Sequence, residues 1–175
     1  MYSYYTQRHK VFISFYHHDD QAYKEYIDNY LSRNIINKSV MDGEYSTDNS
    51  DTYIKRLIRE DKISDSSVVV VLVGPNRKHV DWEIYAGLRP SINGNSGLIG
   101  IFLPTVRKAP NGSYYYADMP ARLADNIESG YADFYDWDYA ISHFDTIIEK
   151  AFNNRASRRN LIDNSRPQMQ RNLGV

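Results

Sequence analysis

The chain has 175 residues, a length that suits one domain with its own core and would leave two independent domains small. Hydrophobic residues make up 42% and charged residues 25%, as in ordinary globular proteins, and a formal net charge of −1 gives no global attraction to nucleic acid or to an acidic membrane. With no cysteine, disulfides, thiolate metal sites and a cysteine nucleophile are excluded.

The strongest apolar run, residues 68–73, is far too short to span a bilayer. The opening MYSYYTQRHK lacks the apolar stretch of a secretory signal. A reducing cytoplasm is therefore the expected compartment. Tyrosine is the compositional outlier, with 16 copies, several clustered at 2–5 and 114–116. An apolar ring with a polar tip suits core edges and surfaces, the alternative being a stacking role against bases or sugars.

In chain order, Val11-Phe12-Ile13-Ser14-Phe15 is a short β-favouring run that ends in the polar cluster His17-His18-Asp19-Asp20. This predicts a buried strand leading into a helix, with Asp19 or Asp20 as its cap. Tyr23, Tyr26, Ile27, Tyr30 and Leu31 then recur at the spacing of one helical face. Residues 35–40 suggest a short second strand. A polar, turn-forming loop over 41–49 precedes a helix opened by Ser50 or Asp51, with Ile54, Leu57 and Ile58 on one side. Residues 67–73, almost all valine, read as a central strand covered on both faces.

Gly74-Pro75-Asn76 breaks that strand, and residues 81–88 read as a short helix stopped at Arg89-Pro90. Residues 98–103 give a further strand. The connection over 104–120 is long for this kind of fold, which marks it as functional or mobile. Its Tyr114–Tyr116 stretch is expected to act as a cover for a ligand pocket. Residues 132–135 suggest a fifth, edge strand, followed by a final helix carrying Tyr139, Phe144, Ile147, Ile148, Ala151 and Phe152, with Asp138 as its cap.

Strands alternating with helices require parallel pairing with right-handed crossovers. The expected fold is therefore α/β and doubly wound: a flavodoxin-like open parallel sheet of about five strands with helices on both faces. Residues 1–154 are assigned to this domain. Residues 155–175, with five arginines against one aspartate, are expected to form a basic, solvated C-terminal tail, or else a docking arm for an anionic or protein partner.

In such sheets ligands sit beyond the carboxyl ends of the strands. This directs attention to residues 14–20, 41–49 and 74–83. Neither GxGxxG nor GxxxxGK[ST] occurs, so a bound nucleotide would be held by side chains and helix ends. His17 and His18 can titrate near neutral pH, though adjacent histidines before a helix are a poor metal signature, and no metal site is expected.

Lys10-Val11-Phe12-Ile13-Ser14-Phe15 with its acidic cluster resembles the opening box of TIR domains. Val80-Asp81-Trp82-Glu83-Ile84, after a valine-rich strand, resembles the segment that carries the catalytic glutamate of NAD-cleaving TIR domains. The resemblance covers roughly residues 10–152 and is nearest to the bacterial TIR-like proteins of the Thoeris anti-phage system.

That resemblance implies an enzyme that cleaves the bond between nicotinamide and ribose in NAD, taken as substrate with no separate cofactor. It implies a cyclic ADP-ribose isomer as product, received by a separate effector protein; self-association of the chain stays an open alternative, and the charge balance and short apolar runs point to no nucleic-acid or membrane partner. Glu83 is the implied catalytic residue, since a carboxylate stabilises the positive charge that builds on the ribose as nicotinamide departs. Its alternative is a solvated first-turn glutamate that complements the helix dipole. Ser14, Phe15, Tyr16, His79 and Asp42 are the implied substrate contacts, with core burial the alternative for Phe15 and a solvated acidic turn for Asp42. Two departures stand out: His79 occupies a position where many family members carry an aromatic residue, and Tyr16 one where plant-type boxes carry arginine.

The competing reading is a non-catalytic TIR-like module that signals by protein contact. A flavodoxin-like phosphoacceptor is disfavoured, because Gly74-Pro75 stands where a strand-end aspartate would be needed.

Overall fold

The computed structural model describes residues 8–39, 53, 57–76 and 80–169. The apolar runs form its sheet: β1 (His9–Ser14), β2 (Ile35–Asn37), β3 (Val68–Val73), β4 (Gly97–Phe102) and β5 (Asp133–Asp136). All pair in parallel in the order β2-β1-β3-β4-β5. The register sets Phe12 beside Val69 and Val70 beside Ile99, so the valine-rich β3 lies at the centre as expected.

Because successive side chains of a strand point to opposite faces, the sheet builds two cores. On one face Val11, Ile13, Val70 and Ile101 pack with Ile27, Phe144, Ile147 and Ile148. The first three of these strand residues alternate with Phe12, Val69 and Val71, which meet Ile84, Leu88 and Leu123 on the other face. The helices responsible are α1 (His17–Tyr26) and α5 (Phe144–Ser157) on the first face, and α2 (Asp81–Leu88) and α3 (Ala121–Glu128) on the second. This is the doubly wound, flavodoxin-like arrangement. Its chain reverses direction across the sheet between β1 and β3.

Glycine is required where β4 meets α5. A Cβ on Gly97 would lie 2.1 Å from the carbonyl oxygen of Ala151, so the helix can approach the strand only because no side chain intervenes.

Several local expectations are corrected. Neither Asp19 nor Asp20 caps α1; Tyr16 occupies that position, without a side-chain cap, and Asp20 turns inward. The helix continues through a π-helical turn, Ile27–Leu31. The single final helix is two: α4 (Trp137–Ser142) opens at Asp136 rather than Asp138, and the non-helical backbone of His143 (φ −129°, ψ 25°) separates it from α5.

The largest correction concerns the segment expected to be solvated. α5 runs on to Ser157, and residues 162–169 return along α2 and α3. Two of the arginines that suggested a solvated tail are used as fasteners: Arg158 donates to Gly130 O and Asp133, and Arg166 to Asp125. Among the described residues no helix is long and apolar enough to cross a membrane.

Candidate functional site

The carboxyl ends of β1 and β3 flank the point where the chain changes direction, and three described segments follow from these strand ends. The first is the end of β1. Ser14 and Phe15 are buried and Tyr16 half-buried. Phe15 belongs to the α1-side core, its ring centroid 4.1 Å from that of His17. The neighbouring Ile13 amide donates to Ser39 Oγ at 2.9 Å, which ties the chain after β2 to the end of β1.

The second segment is the first turn of α1. Asp20 is 1% exposed, and among the described residues neither carboxylate oxygen has a hydrogen-bond partner; Ser14 Oγ is buried in the same condition. Burial, then the adjacent Asp19 charge, push the Asp20 carboxyl up from 3.8 to about 6, against the opposing influence of the Tyr16 amide. Asp19 itself accepts a hydrogen bond from Asn76, beyond the end of β3, and pairs with His18 at 3.1 Å.

The third segment is α2. Of the four residues in its first turn, Asp81, Trp82 and Ile84 are buried and Glu83 is half-buried. Glu83 is thus the less buried of the two acidic residues in this turn, at a helix N-terminus whose dipole favours a carboxylate. His79 and Asp42 lie outside the described residues.

α2 is held in place by a polar clamp. Arg122, on α3, is fully buried and all of its donors are used. Its Nε donates to Asp81 at 2.9 Å, and its two terminal nitrogens reach Asp81, Asn164, and the carbonyls of Arg166 and Pro167. Its guanidinium also stands 4.9 Å from the centre of the Tyr85 ring. From the C-terminal segment, the Met169 amide donates to Asp81 and the Met169 carbonyl accepts the Trp82 indole N–H at 2.6 Å. Trp82 is thereby a packing residue, on the helix face it shares with Tyr85 and Ala86.

The long connection is anchored away from this crevice. Tyr114 stacks on Phe102 at 4.0 Å, and its hydroxyl donates to Asp136, which also accepts from Lys108 at 2.9 Å. Burial, then the Asp136 contact, push the Tyr114 phenol up to about 12. The loop therefore sits over the ends of β4 and β5 rather than over those of β1 and β3, contrary to the expected cover. There it borders a groove of about 430 Å³ lined by Tyr114, Met119, Phe134, Tyr135, Asp136 and Tyr139.

Among the described residues no three His, Asp or Glu side chains are grouped to hold a metal ion. Sequence reasoning missed Asp20 and Arg122. A signal existed for the first, since Asp20 falls three residues before Tyr23 and seven before Ile27, on the apolar face of α1. For Arg122 none did: an arginine between alanine and leucine reads as a surface residue.

Residues 12–108, more than half of the chain, match the family model described as Thoeris protein ThsB, TIR-like domain. No match is found among curated proteins.

Proposed function

The chain belongs to the Thoeris ThsB TIR-like family, and on that premise we propose that it is an NAD-cleaving enzyme of anti-phage defence. It breaks the bond between nicotinamide and ribose, releases nicotinamide and forms a cyclic ADP-ribose isomer that a separate effector receives. Glu83 is the catalytic residue. Ser14, Phe15, Tyr16, His79 and Asp42 contribute to substrate contact, Phe15 through the wall it forms at the end of β1. The reaction takes place in the cytoplasm.

The observation that carries this reading is the position of Glu83. It is the half-exposed carboxylate of an otherwise buried first turn, on the helix that follows β3 at the switch point of a parallel sheet. As nicotinamide leaves, positive charge builds on the ribose carbon, and a fixed carboxylate stabilises that charge more effectively than mobile water does. Capture of the ribose by an internal hydroxyl closes the cyclic product, whereas capture by water gives linear ADP-ribose; exclusion of water from the crevice decides between them. The Arg122 clamp serves this chemistry by fixing the first turn of α2, since catalytic carboxylates depend on a placement held by their supporting shell.

Purified protein is incubated with NAD and free nicotinamide is followed by chromatography with mass detection. Wild type is expected to release nicotinamide and Glu83→Gln to release about a hundredfold less or none. Equal release by both removes Glu83 from the reaction.

A second reading, a TIR-like module that signals by contact alone, draws on a different observation. Phe134 and Tyr139 leave 45% and 49% of their surface exposed near the free edge of β5. Retention of biological activity by Glu83→Ala, with no nicotinamide release under dimer-promoting conditions, is the result that favours it.

A further inference from the structure

Among the described residues, three buried side-chain oxygens at one end of the sheet have no hydrogen-bond partner: Ser14 Oγ and both carboxylate oxygens of Asp20. Buried polar groups are almost always paired, and an unpaired carboxylate is far more costly than an unpaired hydroxyl. Asparagine, of nearly the same shape, would avoid most of that cost. A buried charge kept at such a disadvantage calls for a partner that the described residues do not supply.

The geometry around Asp20 is specific. Its carboxyl group lies against Gly74, the first residue beyond β3: a Cβ on Gly74 would fall 2.4 and 2.5 Å from the two oxygens. Glycine at this position therefore lets a carboxylate from α1 rest on the backbone at the end of β3, in the crevice between β1 and β3. Among the described residues the Tyr16 amide acts on this carboxyl without hydrogen-bonding it, and the neighbouring polar side chains are committed elsewhere. Asn76 donates to Asp19, His18 pairs with Asp19, Lys24 one turn along α1 pairs with Asp28, and Ser39 Oγ accepts the Ile13 amide.

We propose that Asp20, together with Ser14, is a ribose-binding element of the nucleotide site, its carboxylate accepting the hydroxyls of a ribose diol. The assignment rests on the reading of the chain as an NAD-cleaving enzyme and adds to it a residue distinct from Glu83. A carboxylate is the acceptor that α/β nucleotide sites use for ribose hydroxyls, because its two oxygens can take two donors at once. Ser14 Oγ, at the end of the adjacent strand, can both donate and accept. The upward shift of the Asp20 pKa fits a carboxylate awaiting donors: hydrogen bonds to its charged form lower the pKa again. Each oxygen exposes less than 1 Å², so contact requires a small shift of the turn 74–76, whose Pro75 and Asn76 are exposed.

The test measures NAD and ADP-ribose binding by calorimetry in a Glu83→Gln background, so that substrate is not consumed. Thermal melting of every variant serves as the folding control. Adding Asp20→Asn is expected to weaken both ligands about tenfold or more, the loss of a charged hydrogen bond, while its melting temperature stays equal or rises. Adding Ser14→Ala is expected to have a smaller effect. An unchanged dissociation constant in a folded Asp20→Asn protein overturns the proposal and leaves the carboxylate to a structural water. Asp20-dependent NAD binding without nicotinamide release from wild type supports the ribose site and overturns the enzymatic reading. If wild type binds neither ligand, both fall.

Discussion

Arg122 Nε lies 2.9 Å from Asp81 Oδ1, and the two side chains are 0% and 7% exposed. A buried ion pair of this kind supplies little net stability over an apolar pair, but removing one partner strands the other charge. Arg122→Ala is therefore expected to destabilise the protein by about 3–5 kcal/mol in chemical denaturation. Arg122→Lys is expected to recover only part of this, since an ammonium has three donors on one atom and cannot span Asp81, Asn164 and two carbonyls. A loss below about 1 kcal/mol for the alanine variant would show that the clamp is not structural.

Removal of the chain from residue 162 onward takes away the acceptor of the Trp82 indole and three of the groups that satisfy Arg122. Such a protein is expected to melt several degrees lower. Its tryptophan emission should shift to longer wavelength as Trp82, now 8% exposed, meets water. Faster amide exchange should be confined largely to α2 and α3. Unchanged emission would place the C-terminal segment off α2 in solution.

The Asp20 carboxyl, raised from 3.8 to about 6 by burial and then by Asp19, binds its proton more tightly folded than unfolded. Between those two values the folded state holds the extra proton, so this group's contribution makes stability fall as pH rises through the window and leaves a constant penalty above it. A shift of this size corresponds to at most about 3 kcal/mol. Asp20→Asn is therefore expected to be more stable than wild type at pH 7.5 and to lose that advantage by about pH 4. Asp65, Asp136, Glu149 and Asp163, whose paired carboxyls sit below their usual range, act in the opposite sense. The difference between the two proteins, measured in parallel urea titrations, isolates Asp20. A difference that does not change with pH would contradict the assignment.

Gly97→Ala brings a methyl group to within 2.1 Å of the Ala151 carbonyl oxygen, a backbone atom that cannot rotate away. The expected loss is about 3 kcal/mol, by overpacking. Gly94→Ala has open space around it but a φ of +84°, and is expected to cost less, about 1 kcal/mol. Comparable melting temperatures for the two would show that α5 does not press on β4 at this point.

The sheet was legible in the sequence because its strands are buried on both faces and so read as unbroken apolar runs, Val68–Val73 above all. α2 was legible at both ends, since Arg89-Pro90 stops it and Gly74-Pro75 separates it from β3. Glu83 could be singled out through the resemblance of its box, not through its spacing, which an ordinary first-turn glutamate shares. What remained hidden was polar and long-range. Nothing local distinguishes Arg122 from a surface arginine, because its partners come from α2 and from residues more than forty positions later. Asp20 was read as a helix cap because aspartate before a helix usually is one; the chain instead begins α1 earlier and turns the carboxylate inward. His79 and Asp42 lie outside the described residues, so their proposed part in substrate contact rests on the resemblance.

The brace on α2 also imposes an order on biosynthesis. Asp81 receives its last hydrogen bond from a residue 88 positions downstream. A nascent chain that has passed Arg122 but not reached Met169 holds α2 through Arg122 without the C-terminal half of its brace. Full anchoring of this helix therefore waits on the last part of the chain to be made, which ties the order of folding to the order of synthesis.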